Sequence, residues 1–276
     1  MNSVESGQDG RVVNLLWTGG WDSTFRLMSL ITGHACVVQP YYVIIPKMPS
    51  WKIEIETTER IRKACAKDPA KFKGEIRPLI VVDGRRFPDV PELDAKYQSL
   101  RSMAPLGPQY IWLAYFAADA GLKDLELSIH RDDMAHRLLA GHVVKKAGLP
   151  TSTFALAPGA DRALSLFADF EFPLFDITKK QMEQIARQEG FSDIMEMTWF
   201  CHRPVNGRYA CGTCNPCRFT ITEGMARRVG WRGRLRYSLH RLWSMIPTGL
   251  RHGLEPYVEK LWPRLRAEQD TKQAGA

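Results

Sequence analysis

With 276 residues, 45% of them apolar and 25% charged, the chain has an ordinary globular composition and enough length for one large domain or two small ones. No apolar run approaches the roughly 18–20 residues that span a bilayer, and residues 1–10 are polar and partly acidic, unlike a secretory leader. A cytoplasmic protein is therefore expected. The formal charge of +8 is uneven: 27 Lys+Arg stand against 26 Asp+Glu through Ala226, and 11 against 4 from Arg227 to Ala276.

In chain order, residues 1–10 predict a disordered lead-in and Val12–Trp17 a short buried strand. Thr18-Gly19-Gly20-Trp21-Asp22-Ser23-Thr24 follows at once and opens a helical pattern over Ser23–Ile31. Two glycines permit a tight turn, and Asp22, Ser23 and Thr24 suit the start of a helix. Such a turn directs backbone N–H groups and two hydroxyls into one concavity at the positive end of a helix dipole, which is a phosphate receptor. The lysine of a Walker A loop and the third glycine of a dinucleotide fingerprint are both missing. The plainer alternative is a strand-to-helix turn capped by Asp22 or Ser23.

Further strands are predicted at Val37–Ile45, Ile76–Val82, Leu125–Ile129 and near Phe172–Phe175, with little polar alternation, as in a parallel sheet covered on both faces. Helices are predicted over Ile53–Ala66, Gln109–Ala120 and Ala135–Ala147, the last stopped by Gly148 and Pro150. Asp68–Gly74 is a short polar connection, and the prolines of Pro88–Pro108 predict a long irregular excursion. Thr178–Gln188 is an amphipathic helix ended by Gly190. The expected architecture is α/β, a doubly wound, mainly parallel sheet whose ligand sits at the carboxyl ends of the strands. His130-Arg131-Asp132-Asp133 stands at such an end, where Arg131 suits a carboxylate or phosphate and an aspartate suits Mg²⁺ or a substrate amine. Its plainer reading is a surface loop with Asp133 capping the next helix.

Four cysteines cluster as C-x9-C-x2-C-x2-C: Cys201, Cys211, Cys214 and Cys217. Four thiolates at this spacing suit tetrahedral Zn²⁺ in a closed, structural site, with an iron–sulfur cluster as the rival. Cys36 and Cys65 read as core packing. From Gly230 onward arginines interleave with Trp231, Tyr237, Trp243 and Trp262, while Pro247, Pro256 and Pro263 predict short pieces. Aromatic packing on the body is one reading of this extension; RNA or another anionic surface is the other.

The Thr18–Ser23 turn resembles the pyrophosphate (PP) loop of the N-type ATP pyrophosphatases, Ser-Gly-Gly-x-Asp-Ser, with Thr18 for the first serine. Pro173-Leu174-Phe175-Asp176-Ile177-Thr178-Lys179, then Thr198-Trp199-Phe200-Cys201, then Cys211-Gly212-Thr213-Cys214-Asn215-Pro216-Cys217-Arg218, narrow the resemblance to the 7-cyano-7-deazaguanine synthases over about residues 11–229. The resemblance implies an adenine nucleotide alpha hydrolase-like ATP-binding domain at 11–190, a zinc-knuckle helical lobe at 191–229 and an extension at 230–276. It implies ATP with Mg²⁺, a small carboxylate and ammonia as reactants, and an adenylate that yields an amide or nitrile. Trp17, Thr18, Gly19, Gly20, Trp21, Asp22, Ser23 and Thr24 would bind ATP, with Asp22, Ser23 and Lys179 catalytic. His130, Arg131, Asp132 and Asp133 would face the substrate, and a homodimer is a further expectation. The family's substrate-reading segments are replaced here by Tyr42–Lys47, Pro105–Gln109 and Ser128–Met134, so the substrate is expected to differ. A tRNA-modifying PP-loop enzyme and a non-catalytic nucleotide-binding partner are the alternatives.

Overall fold

A computed structural model of the chain describes residues 12–148, 151–247 and 250. The expected lead-in and the extension beyond Leu250 lie outside the described residues. The chain divides into two compact units, Met1–His202 and Arg203–Ala276.

The first unit is a mostly parallel mixed sheet with helices on both sides, as the apolar runs predict. Its strands are β1 (Val12–Leu16), β2 (Val37–Ile44), β3 (Glu75–Ile76), β4 (Ile80–Asp83), β5 (Leu125–Glu126), β6 (Val143–Lys146), β7 (Thr153–Leu156) and β8 (Phe170–Glu171). Among the described residues they run in the order β3-β2-β1-β5-β8-β7-β6, with β4 also on β2. β1 pairs in parallel with β2 on one side and β5 on the other, so the chain's direction of winding reverses at β1. Ligands of open α/β sheets bind at such a reversal, beyond the carboxyl ends of the strands.

The helices of this unit are α1 (Trp21–Gly33), α2 (Trp51–Cys65), α3 (Pro91–Met103), α4 (Gln109–Asp119), α5 (Met134–Leu139), α6 (Lys179–Gln188) and α7 (Ser192–Glu196). Tyr110 and Phe116 of α4, Leu100 of α3 and the buried Phe167, Phe170 and Phe172 form one apolar cluster. Thr178 and Gln181 cap α6 reciprocally, which explains its sharp start.

Several local expectations are corrected. The predicted helix Ala135–Ala147 stops at Leu139, because Gly141 turns the chain at φ +83°. Val143 and Val144 then pair antiparallel with Leu156 and Ala155, so residues 143–146 become the edge strand β6. β-branched valines suit that pleat, and Lys145 and Lys146 suit an exposed edge. The excursion at Pro88–Pro108 contains α3, because Pro91 occupies a first-turn position where its missing N–H costs nothing. The strand expected at Phe172–Phe175 lies at Phe170–Glu171, and Ile76–Val82 is split into β3 and β4 around Pro78.

A buried ion pair joins α1 to β5. Arg26 Nε and Nη2 donate to Glu126 Oε2 and Oε1 at 2.7 and 2.6 Å, and Nη1 donates to Thr151 Oγ1 at 2.9 Å. Both side chains are at most 5% exposed. Removing one partner strands a buried charge, so Arg26→Ala is expected to lower stability by about 3–5 kcal/mol in chemical denaturation. A loss below about 1 kcal/mol would show that water reaches Glu126.

The second unit contains α8 (Asn215–Thr220) and α9 (Gly230–Met245). α9 is one continuous helix of 16 residues. The first proline of the extension, Pro247, follows its end, so the predicted fragmentation does not apply within α9. A Cβ on Gly212 would lie 1.9 Å from the Gly233 carbonyl, so α9 packs on the backbone of the cysteine loop. Arg236 secures that contact by donating to the carbonyls of Cys211 at 2.7 Å and Ala210 at 2.9 Å.

Candidate functional site

The turn between β1 and α1 has the form the sequence predicts. Gly19 adopts φ +69°, and a Cβ there would meet the Glu54 carbonyl at 3.2 Å and the methyl groups of Thr57 and Thr58 at 3.2 and 3.3 Å. α2 therefore packs directly beneath the loop. Gly20 is the N-cap of α1 and receives no side-chain cap bond. Capping by Asp22 or Ser23 is thereby replaced: both lie within the first turn of α1.

Ser23 Oγ accepts from the Thr18 N–H at 3.4 Å and sits 3.5 Å from Thr18 Oγ1. Thr18 Oγ1 also accepts from the Gly20 N–H at 3.3 Å. Thr24 differs from the expectation of two hydroxyls in one concavity. It is fully buried, and its Oγ1 accepts from Trp17 Nε1 at 3.0 Å. Trp17 is fully buried and Trp21 nearly so; all three support the loop from behind.

A cavity of about 180 Å³ opens above this loop. Leu16, Tyr41, Val43, Ile45, Leu113, Leu127 and Ile129 give it apolar walls, while Thr18, Asp22, Ser23, Ser128 and Asp133 supply polar groups. Buried Asp22 Oδ1 and Ser128 Oγ, both from residues lining the cavity, have no hydrogen-bond partner among the described residues. Buried polar atoms are normally paired, so two such atoms in residues around one cavity mark a place for a polar ligand. Tyr110 closes one side and donates to Asp133 Oδ1 at 3.3 Å. Burial, reinforced by the Asp133 charge, holds the Tyr110 hydroxyl well above the usual phenol range, so it remains a donor. Below the loop, burial raises the Glu54 carboxyl, which accepts from Tyr42 at 2.6 Å.

The second candidate segment reaches the same place. His130 is buried at the end of the chain leaving β5, and its Nδ1 accepts from the Asp132 N–H at 3.2 Å. That bond leaves Nε2 to carry the proton, 3.7 Å from Asp22 Oδ2. Asp132 Oδ2 accepts from the Lys179 N–H at 3.2 Å, and Arg131 N–H donates to the Ile177 carbonyl at 2.9 Å. His130, Asp132 and Lys179 are thus tied to one another and to the glycine turn. Arg131 is exposed, and Asp133 caps α5 through the Ala135 N–H at 2.8 Å. Ser128 opens the Ser128–Met134 segment that the sequence marked as substrate-facing, whereas sequence reasoning missed Tyr110, which lies one residue beyond the marked Pro105–Gln109 segment.

Trp199 provides a third connection. Its N–H donates to the Gly19 carbonyl at 2.9 Å, and a Cβ on Gly20 would come 3.7 Å from the Trp199 carbonyl. The Thr198–Cys201 segment thus braces the turn through Trp199. Residues 156–225 match the family model of the queuosine biosynthesis protein QueC. Over that stretch the chain is QueC-like. The match includes Lys179, Trp199 and all four clustered cysteines, and it begins beyond the glycine turn. No match is found among curated proteins.

In the QueC-like stretch the ligand atoms of Cys201, Cys211, Cys214 and Cys217 all lie within 4.8 Å of one another, and all four residues are buried. Cys211 and Cys217 sulfurs are 3.8 Å apart. Four sulfurs at about 2.3 Å from one tetrahedral ion would be separated by about 3.8 Å. Sulfurs that bind different irons of a cluster stand further apart, so the spacing fits a single ion. Cys211 Sγ also accepts from the N–H groups of Cys214 at 3.2 Å and Thr213 at 3.4 Å. Such bonds stabilise a thiolate and fix its lone pairs. Gly212, at φ +84°, makes the knuckle turn possible.

Proposed function

We propose that this chain is an ATP-dependent enzyme that forms a carbon–nitrogen bond by adenylating a carboxylate. The observation that carries the reading is the Trp199 N–H bond to the Gly19 carbonyl, which joins the QueC-like stretch to a phosphate-binding turn. In this reading the apolar cavity receives the adenine. The Gly20-to-Ser23 turn, the Thr18 and Ser23 hydroxyls and the α1 dipole hold the β- and γ-phosphates. Asp22 would hold Mg²⁺, which would supply neutralisation of charge on the phosphates. Zn²⁺ held by the four cysteines is structural, since four protein ligands leave no open position.

A carboxylate oxygen of the substrate attacks the α-phosphorus, and pyrophosphate leaves into the turn that is complementary to its charge. Ammonia then attacks the acyl carbon, AMP departs with the carboxylate oxygen, and the amine gives up a proton. For a nitrile, the amide oxygen attacks a second ATP and is lost in turn with AMP, while the nitrogen gives up two protons. Lys179 would stabilise the negative charge of the adenylate, and Arg131 would orient the carboxylate. The replaced segments at Tyr42–Lys47, Pro105–Gln109 and Ser128–Met134 would redirect substrate choice.

The test is pyrophosphate release from Mg·ATP by the zinc-loaded protein, with ammonia and a panel of carboxylates that includes 7-carboxy-7-deazaguanine. Acid-dependent release supports the proposal, and the active acid names the substrate. ATP binding without release for any acid would oppose it and favour RNA as the substrate or a non-catalytic role.

A further inference from the structure

The outer face of α9 is apolar in a region that is otherwise strongly basic. Trp231, Leu235, Leu239, Leu242 and Met245 are between 44% and 72% exposed. At about 100° per residue these five side chains fall within an arc of about 120°. Gly233 and Arg236, which make the contacts to Gly212, Ala210 and Cys211, lie on the opposite side of the helix. The apolar stripe therefore faces away from the knuckle that anchors α9. A stripe of this kind normally faces a protein core, and here the core side is taken by a glycine and an arginine.

The charge around the stripe has one sign. From Arg203 to Pro247 the sequence has nine arginines, no lysine and one acidic residue, Glu223. Arg232 borders the stripe on one flank, and Arg234 and Arg241 border it on the other. At the N-terminal end Arg232 lies 5.2 Å from the Trp231 ring and 5.9 Å from the Tyr209 ring, forming an aromatic and cationic edge. Leucines and a methionine flanked by arginines on both sides, ended by a tryptophan, match the boundary of an anionic bilayer in both polarity and charge. A nucleic acid would neutralise the arginines but would leave the leucine face in water. No helix among the described residues is long and apolar enough to cross a membrane, so the fitting geometry is a helix lying in the surface plane.

We propose that α9 docks the second unit onto an anionic phospholipid bilayer, with Trp231, Leu235, Leu239, Leu242 and Met245 immersed and the flanking arginines at the headgroups. The test is sedimentation of the full-length zinc-containing protein with sucrose-loaded phosphatidylcholine vesicles, with and without about 30% phosphatidylglycerol. Binding to the anionic vesicles is expected to be at least about tenfold tighter than to the neutral ones. Leu235→Asn, Leu239→Asn and Leu242→Asn together should abolish it without altering net charge. Arg232→Gln, Arg234→Gln and Arg241→Gln together should weaken it at least about tenfold and flatten its salt dependence. Zinc content and far-UV circular dichroism report whether the variants fold. Should the leucine variant lose zinc, Trp231→Gln with Met245→Gln removes the two ends of the stripe instead. Undiminished vesicle binding by the apolar variants would overturn the proposal by showing charge attraction alone, the behaviour expected of an RNA-binding face. A wild-type dimer that becomes monomeric in the leucine variant would overturn it differently, by assigning the stripe to a second copy of the chain.

Discussion

Asp22→Asn is expected to lower kcat/KM for Mg·ATP in pyrophosphate release by about 10²–10³-fold while leaving the protein at least as stable as the wild type. Both halves follow from the same geometry. Asp22 lines the cavity, its buried Oδ1 has no partner among the described residues, and it does not cap α1. The side chain is 29% exposed, but its Oδ1 is buried without a partner among the described residues, which costs stability that neutralisation gives back in part. In the proposed function Asp22 would hold a metal ion, which the amide would bind poorly. Steady-state kinetics and thermal denaturation of the same preparation separate the two effects. Activity retained within about threefold would remove Asp22 from the phosphate machinery. A large fall in melting temperature would instead make it a structural residue.

Removal of zinc is expected to have the largest structural effect. In the second unit the described buried apolar residues are Ala210, Cys211, Cys214, Cys217, Met225 and Val229, so half of that small core consists of proposed metal ligands. A core this small does not hold a fold unaided, and structural zinc in small domains contributes on the order of 10 kcal/mol or more. Chelation, or Cys214→Ser, should therefore expose the amides of α8 and α9 to rapid hydrogen exchange. The strands β1, β2 and β5 should keep their protection, because their contacts are with buried apolar residues such as Leu15, Val38 and Leu125. Metal analysis should give about one zinc per chain and no visible absorption from iron. Unchanged exchange in α8 and α9 after complete zinc loss would refute a structural role for the metal.

The parts of the fold that were legible in the sequence are those where one residue type answers one local demand. The glycine turn was legible because Gly19 needs a positive φ between a buried strand and a helix, and few sequences satisfy that. α6 was legible through its amphipathic pattern and its Gly190 stop, and the side chains of Thr178 and Gln181 cap its start. The cysteine spacing specified a tight knuckle before any contact was known. By contrast, β6 was hidden because His142-Val143-Val144-Lys145-Lys146 continues a helical pattern, and only Gly141 marks the break. α3 was hidden by prolines that also occur in loops, although Pro91 followed by Glu92 and Asp94 was a readable helix start. The cavity wall was the least legible. Tyr110 and Ser128 meet Asp22 only through the ordering of β1, β2 and β5, and no local rule links residues so far apart in sequence. The placement of Asp22 shows the same limit, since a residue suited to capping is displaced from the N-cap by Gly20 and lines the cavity instead.

The central claim is that a carboxylate oxygen becomes bonded to the α-phosphorus of ATP. With the active acid labelled with ¹⁸O in its carboxylate, and with ammonia and Mg·ATP present, the AMP released is analysed by mass spectrometry. The account predicts one ¹⁸O atom in each AMP formed in the amidation step. Unlabelled AMP would mean that water attacks the α-phosphorus, and ADP with labelled phosphate would mean that the γ-phosphoryl group is transferred instead. Either result would contradict adenylation of the carboxylate.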